Sequence, residues 1–279
     1  MKLVTFALKN NPALTYTGIW DGDQVIKTAA DYPNMVSLIE AGGMPSAGDE
    51  RFSVEDVILK APLLPRKIVC VGRNYVAHAK ELGNVVPDSP LLFVKLTTTV
   101  IGIGDTITWR TAVTEKVDWE VELAVVIGKP ARYVSEDEAM EYIFGYTVAN
   151  DVSARDLQDQ DKQWIRAKGL DTFCPLGPSI VTRDEIADPH ALSLKTTVNG
   201  EVMQNSNTSL MMYRIPFLIS YCSQAFTLQP GDLILTGTPG GVGKGMTPPR
   251  FLKDGDTVTV SVSDVGEISN PCQIEDANL

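Results

Sequence analysis

Histidine is nearly missing from this chain, with two copies in 279 residues, and cysteine is sparse, with four. Cys70, Cys174, Cys222 and Cys272 stand far apart, and no two share the C-x-x-C spacing of zinc or redox motifs. That pattern favours buried free thiols over a disulfide framework or thiolate–metal ligands. Basic residues are also in deficit: 24 Lys and Arg face 35 Asp and Glu, a formal charge of -11. A field of that sign repels nucleic-acid phosphates and anionic membrane surfaces, although a local basic pocket can still take a small anion. No run approaches the roughly 18 apolar residues of a membrane span. The opening MKLVTFALKNNPALTYTG has too short an apolar stretch for a secretory signal. A cytoplasmic location, without nucleic-acid or membrane partners, is the expectation.

What is present is a core-forming composition, 44% hydrophobic and 21% charged, outside the regime of disorder. Residues 1–65 read as a small α+β unit: KLVTFAL and LTYTGIW as strands, DGD as a hairpin turn, MVSLIEAG as a short helix ending at Gly42. The prolines of LKAPLLPRK mark a linker, which places a boundary near Pro65 and a main domain over residues 66–279. There short β-rich runs dominate: KIVCVG, LLFVKL, TITW, EVELAVVIG, FGYTVAND, SLKTTVNG, DLILTG and DTVTVSV. Helices are few, at Asn74–Leu82, at SEDEAMEYI with Ser135 and Glu138 as a capping box, and at IPFLISYCSQA. The predicted class is mainly β with few helices, α+β, without a βαβ rhythm or an internal repeat.

The stretch VDWEVELAVVIG sets Asp118, Glu120 and Glu122 at every second position of an apolar run. On a strand, residues two apart share a face, so alternation alone favours a half-buried strand with its polar side in water. Two features weigh against that reading. The stripe runs into LAVVIG, which reads as buried on both faces, where like charges are costly unless neutralised. In addition VANDVSARD ends another apolar run with a further carboxylate, Asp151. A divalent cation resolves the repulsion, and a carboxylate set without neighbouring Cys or His suits Mg2+, Mn2+ or Ca2+ better than zinc or copper. Three protein ligands leave positions open for water and a chelating substrate.

His190, in ADPHAL, reads as a surface residue in a turn. His78 lies in GRNYVAHAKELGN, where Asn74 can cap a short helix, Gly83 can end it, and Glu81 follows three residues later on the same face. Such a pair orients an imidazole and raises its basicity. The alternative is a solvated helix with an incidental pair, and spacing leaves both open. Gly72 and GNVVPDSP, on either side, would let the segment move as a lid.

Arg155, Gln158 and Lys168 follow Asp151. Their cations either neutralise an anionic substrate or pair with Asp156, Asp159 and Asp161 on a solvated surface, and unaided spacing favours the latter. LILTGTPGGVGKG is not a phosphate loop. Counting back from Gly243-Lys244, the first required glycine falls on Thr238, and Gly245 stands where Ser or Thr is needed. A turn whose amides and Thr238 hydroxyl grip a carboxylate is the better reading.

Together VGRNYVAHAKE, WEVELAVVIG, NDVSARDLQ, KGLDTFCPLGP and DLILTGTPGGVG, in that order, resemble the fumarylacetoacetate hydrolase superfamily, over about Ile68 to Pro271. The N-terminal unit is like that of its hydroxyheptadienedioate isomerase and ureidoglycolate lyase-like branches. The resemblance implies a mixed β-roll catalytic domain, usually homodimeric. It also implies metal ligands at Glu120, Glu122 and Asp151, and a lid base and partner at His78 and Glu81. Lys168 and Gln158 match catalytic positions near the metal, while Arg155 and Thr238 match substrate-contacting positions. Asp118 matches no position in the family pattern, and the insert DQDKQWIRA lies where reaction subtypes differ. The expected activity is metal-dependent hydrolysis of a C–C bond in an acylpyruvate-like 2,4-diketo acid. Water activated by His78 would attack the distal carbonyl. Decarboxylation of oxaloacetate-like acids and isomerisation of hydroxydienedioates use related enolate chemistry and stay open. So do a non-catalytic protein binding a metal and a small acid, and a purely structural role.

Overall fold

The computed structural model describes residues 1–275. The N-terminal segment forms β1 (Lys2–Leu8), β2 (Asn11–Asp21), β3 (Gln24–Thr28), α1 (Met35–Glu40), β4 (Ala47–Ser53) and β5 (Val57–Leu59). Gly22 in the D-G-D turn between β2 and β3 takes φ +58°, which costs glycine nothing for lack of a Cβ. Asn34 caps α1, its side chain accepting from the Ser37 N–H.

Next come β6 (Ile68–Gly72), α2 (Val76–Glu81), β7 (Leu91–Lys95), β8 (Val100–Ile101), β9 (Ile107–Trp109), β10 (Val117–Asp118) and β11 (Val121–Ile127). They are followed by α3 (Glu136–Ala139), β12 (Ile143–Asn150), β13 (Ser153–Ala154), α4 (Arg155–Gln160), α5 (Ile165–Lys168) and β14 (Cys174–Thr182). The chain continues through β15 (Ser193–Val198), β16 (Glu201–Asn207), α6 (Ile215–Ala225), β17 (Leu233–Leu235), β18 (Thr257–Val262) and β19 (Gly266–Ile274). The architecture is mainly β with short helices. No helix among the described residues is long and apolar enough to cross a membrane.

A mixed sheet runs in the order β4-β3-β2-β1-β14-β12-β11-β17-β6-β7. The N-terminal strands extend it because β1 lies antiparallel to β14, with Lys2 opposite Val181. A second sheet, β16-β15-β18-β19-β9, shares a core with the first. Val121, Leu123, Val125 and Ile127 of β11 pack there with Leu194 of β15 and Val258, Val260 and Val262 of β18. The alternate residues Ala124 and Val126 enter another core with Leu38 and Ile39 of α1 and Leu233 and Leu235 of β17. Strand β11 is therefore apolar on both faces, as a continuous LAVVI run requires. Each large side chain so buried contributes roughly 1.5–3 kcal/mol.

Several sequence expectations change. VDWEVELAVVIG is not one strand: β10 ends at Asp118 and pairs with β13, whereas β11 begins at Val121 and pairs with β12. Trp119 and Glu120 occupy the break, so the three acids do not form one stripe. SEDEAMEYI divides into α3 and a 3-10 turn, Met140–Tyr142, with Ser135 Oγ donating to Glu138 at 2.7 Å but capping no backbone N–H. Asn74 does not cap α2, whose N-cap is Tyr75. Its amide donates to the Tyr213 and Thr236 carbonyls and accepts from the Tyr213 N–H, tying the start of α2 to the segments before α6 and after β17. All four cysteines are buried free thiols, and burial pushes those of Cys174, Cys222 and Cys272 up to about 12.

His190 is not a surface residue. It is 9% exposed, and its Nε2 accepts the Ile215 N–H at 3.1 Å, at the start of α6. Burial and then Arg214 push its pKa down, while Asp188 opposes them. The folded protein thus binds this proton more weakly than the unfolded chain, whose histidine titrates near 6.5. Stability from this group is complete above that value and is lost as the pH falls through the lower folded pKa. Thermal midpoints of the wild type should drop between about pH 7 and pH 5. His190→Gln should flatten that part of the profile, and an unchanged slope would exclude His190 as its source.

Candidate metal and acid–base site

The acid cluster forms where the strands run out. Glu122 lies on β11, Glu120 in the break before it, and Asp151 just beyond β12. The Glu120 N–H donates to Asn150 Oδ1 at 3.0 Å and the Asp151 N–H to the Glu120 carbonyl at 2.8 Å, bracing the two strand ends. One carboxylate oxygen from each of Glu120, Glu122 and Asp151 lies within 4.8 Å of the others, and all three residues are buried. Lys168 Nζ bridges Glu120 and Asp151 at 2.7 Å each. Arg155 reaches Glu120 at 2.6 Å and Asp118 at 2.7 Å. Burial pushes the Glu120 carboxyl up, but Lys168 and Arg155 outweigh it and the net shift is downward. Burial likewise lowers Lys168, and Asp151 and Glu120 reverse the sign.

Glu122 is the exception. It accepts the Gly237 N–H at 2.7 Å, and among the described residues no ion pair reaches it. Burial, then Asp151 and Glu120, push its carboxyl well above the ordinary range. Four buried carboxylates, Asp118, Glu120, Glu122 and Asp151, face three buried cations, Lys95, Arg155 and Lys168. One negative charge is left over, and a divalent ion among hard oxygen donors would hold Glu122 ionised. The donor set fits such an ion.

His78, on α2, is 5% exposed, and its Nδ1 lies 2.9 Å from Glu81 Oε1. The second oxygen of Glu81 accepts the Gly241 N–H at 2.8 Å. The glycine segment after β17 thus differs from the sequence expectation of a carboxylate-gripping turn for a ligand. Its amides hold the protein's own acids: Gly237 holds Glu122, Gly241 holds Glu81, and Gly243 with Lys244 holds Asp118 at 2.7 and 3.0 Å. Close approach requires the missing side chains. A Cβ on Gly237, at φ +98°, would lie 2.7 Å from Asn74 Cβ, and one on Gly245 would lie 2.9 Å from Glu81 Cδ.

His78, Glu120, Glu122, Arg155, Gln158, Lys168 and Thr238 line one cavity of about 190 Å3, with Glu81 and Asp151 behind them. Phe93, Trp164, Arg73, Lys244 and Asp159 form the rest of its charged and aromatic wall. The Arg155 Nη1 donates to Gln158 Oε1 at 3.0 Å, which leaves the amide NH2 as the donor of Gln158. Arg155 and Lys168 therefore do not pair with Asp156, Asp159 and Asp161 on a solvated surface. Asp159 instead pairs with Lys244 and Asp161 with Arg166.

Two residues of the site, Lys95 and Gln204, escape the sequence reading, and a third, Asp118, has no role in it. Lys95 is buried with its Nζ bonded to Asp151 at 2.7 Å, the Val152 carbonyl at 3.2 Å and the Lys168 carbonyl at 2.5 Å. A lone lysine inside LLFVKL was the available signal. Asp118 anchors both Arg155 and the glycine segment. Gln204 accepts the Val121 N–H at 3.0 Å and donates to Thr238 Oγ1 at 2.8 Å, and no local pattern marked it.

The chain is similar to proteins of one known family. Residues 67–273 match the fumarylacetoacetate (FAA) hydrolase C-terminal family. A mitochondrial oxaloacetate tautomerase of Xenopus laevis is 42% identical over 287 aligned positions, covering 97% of this chain and 90% of that protein. An oxaloacetate tautomerase of Bacillus subtilis is 41% identical, covering 95% of this chain and 88% of that protein. The solved structure of a fumarylacetoacetate hydrolase from Exiguobacterium antarcticum superimposes with a TM-score of 0.90 at 35% identity, covering 99% of this chain and 100% of that one.

Two variants test the electrostatics and the loop. Glu122→Gln replaces a buried carboxyl whose ionised form burial and its acidic neighbours disfavour, so the metal-free protein should be at least as stable while the upward shift of its thermal midpoint with Mn2+ disappears. A retained Mn2+ shift would remove Glu122 from the ligand set. Gly245→Ala should push Glu81 off the Gly241 N–H and off His78, lowering turnover about 10- to 100-fold. Circular dichroism should show the fold intact. Full activity would mean that Glu81 does not need this approach.

Proposed function

The chain belongs to the fumarylacetoacetate hydrolase family, and from that premise we propose that it is a divalent-metal-dependent tautomerase of oxaloacetate or a closely similar 2-oxo acid. The observation that carries the reading is the imidazole of His78. Its Nδ1 is engaged by Glu81, and it lines the same cavity as the buried carboxylates. Only its Nε2 is then available to carry a proton to or from a ligand. A Mg2+ or Mn2+ ion on Glu120, Glu122 and Asp151 would supply the Lewis acidity that makes a hydrogen beside a 2-oxo group removable.

In the keto-to-enol direction, His78 Nε2 takes the proton from the carbon next to the ketone. The C–H electron pair moves into the new C=C bond as the carbonyl π pair moves onto oxygen. The same proton is then delivered to that oxygen, so no water is consumed and no group leaves. Glu81 holds the imidazole orientation and stabilises its cationic form. Lys168 and the Gln158 amide NH2 offset charge developing on oxygen. Thr238, fixed by Gln204, and Arg155, fixed by Asp118, set the carboxylate end.

Hydrolysis of a C–C bond, the leading expectation from sequence, uses the same residues with an attacking water in place of proton return. The structural likeness to a fumarylacetoacetate hydrolase keeps it as a second reading. Proton transfer is favoured by the two oxaloacetate tautomerases at over 40% identity across nearly the whole chain.

The deciding assay follows loss of the oxaloacetate enol, oxaloacetate decarboxylation and acetylpyruvate cleavage, each with Mg2+ or Mn2+ and after chelation. Tautomerisation should be fastest and should vanish on chelation. Faster cleavage of acetylpyruvate would install the hydrolase reading instead. His78→Ala should lower tautomerase kcat by about 10^2-fold or more with Mn2+ affinity nearly unchanged. Unaltered turnover would remove His78 from the mechanism.

A further inference from the structure

Four cationic side chains line the cavity: Arg73, Arg155, Lys168 and Lys244. Three are committed to carboxylates of the protein, Arg155 to Asp118 and Glu120, Lys168 to Glu120 and Asp151, and Lys244 to Asp159. Among the described residues Arg73 has neither an ion pair nor a side-chain hydrogen bond. It is nevertheless placed rather than loose. Its guanidinium carbon lies 5.7 Å from the centroid of the Trp164 ring, within cation–π range. Trp164 in turn meets Phe93 edge-on at 5.3 Å and packs against the preceding backbone, where a Cβ on Gly72 would fall 2.8 Å from its ring.

The backbone adds a second observation. Arg73 sits at φ +57°, a left-handed conformation that L side chains other than Asn and Asp rarely adopt. Such a conformation persists where surrounding structure imposes it, and these positions cluster at ligand sites. Here it coincides with an unpaired guanidinium on the wall of the candidate catalytic cavity. A planar fork of donors without a protein acceptor is matched to a carboxylate.

We propose that Arg73, presented on the Trp164 ring, is a specificity-determining residue that binds the second carboxylate of a 2-oxo dicarboxylate. The assignment rests on the 2-oxo acid reading of this cavity. It adds a preference for a four-carbon diacid over a monoacid that offers the same 2-oxo carboxylate end. Trp164 lies within DQDKQWIRA, between the catalytic candidates Gln158 and Lys168. That segment thereby sets the reach of Arg73 without touching the reacting atoms.

The test compares wild type, Arg73→Asn, Arg73→Lys and Trp164→Leu in the Mn2+-loaded protein, with circular dichroism verifying the fold. Asn is chosen because it tolerates the left-handed backbone. Calorimetry measures binding of oxaloacetate, which has a second carboxylate beyond the 2-oxo acid end, and of oxalate, which does not. Arg73→Asn should weaken oxaloacetate by about 10- to 100-fold, expressed in KM more than kcat, and leave oxalate within about threefold. Arg73→Lys should recover part of the loss, and Trp164→Leu should show a smaller loss of the same selectivity. Unchanged oxaloacetate binding in Arg73→Asn, or equal weakening of both ligands, would overturn the assignment. If wild type binds oxaloacetate without turning it over, the tautomerase reading fails and the binding ratio still decides Arg73. If it turns oxaloacetate over and Arg73→Asn matches it, only the Arg73 assignment fails.

Discussion

Burying four carboxylates beside three cations is the constraint around which this structure is organised. Asp118, Glu120, Glu122 and Asp151 converge where β10 gives way to β11 and where β12 ends. Removing that much like charge from water is prohibitive unless each group is paired or bonded. Lys95, Arg155 and Lys168 supply the pairing, and backbone N–H groups of the glycine segment supply the bonding. Of the four, Glu122 alone has no cation beside it among the described residues, and burial with its acidic neighbours pushes its carboxyl up. With Glu120 and Asp151 it forms the one set of oxygen donors there that could hold a hard cation.

The same constraint accounts for local features that would otherwise look unrelated. The glycine segment after β17 passes close enough to give N–H groups to Glu122, Glu81 and Asp118 in turn. The acid cluster, the histidine dyad and the Arg155 anchor are thereby referenced to one stretch of chain. Asn74 ties the start of α2 to that stretch through the Thr236 carbonyl. The network holds the histidine, the acid cluster and their cations in fixed relation, as any reaction that depends on orientation requires. On the opposite requirement, for a ligand to enter and be distinguished, the wall formed by Phe93, Trp164 and Arg73 offers a cation that the network leaves free.

Apolar packing on both faces beyond Glu122 makes β11 the rigid element on which the site stands. Its odd residues face the core shared with the second sheet and its even residues face the core beneath α1. Glu122 shares the even face, one position from the end of the strand, so its backbone is fixed by packing that extends well away from the chemistry. The pairing of β1 with β14 brings the N-terminal segment into the same sheet, although the family match begins only at residue 67.

Much of this was legible in one dimension. The LAVVI run specified a strand buried on both faces, because apolar periodicity is a local property. The alternating acids with Asp151 specified an oxygen-rich site, and the i,i+3 spacing of His78 and Glu81 survived as a 2.9 Å contact. Alternation alone could not separate ligand candidates from anchors, since Asp118, Glu120 and Glu122 look alike until the strand breaks, and only the family resemblance set Asp118 apart. Nor did it mark Lys95, which meets Asp151 from 56 residues away, or direct the Gly237 amide to Glu122 across 115 residues. Asn74 likewise found its partners far along the chain, and His190 adds the Ile215 N–H, 25 residues on, to the Asp188 of its own turn. The amino-acid order determined which strands are buried and which residue types sit at their ends. The tertiary structure decided which buried charges meet, because Coulomb and hydrogen-bond partners are selected by distance in space and not by spacing along the chain.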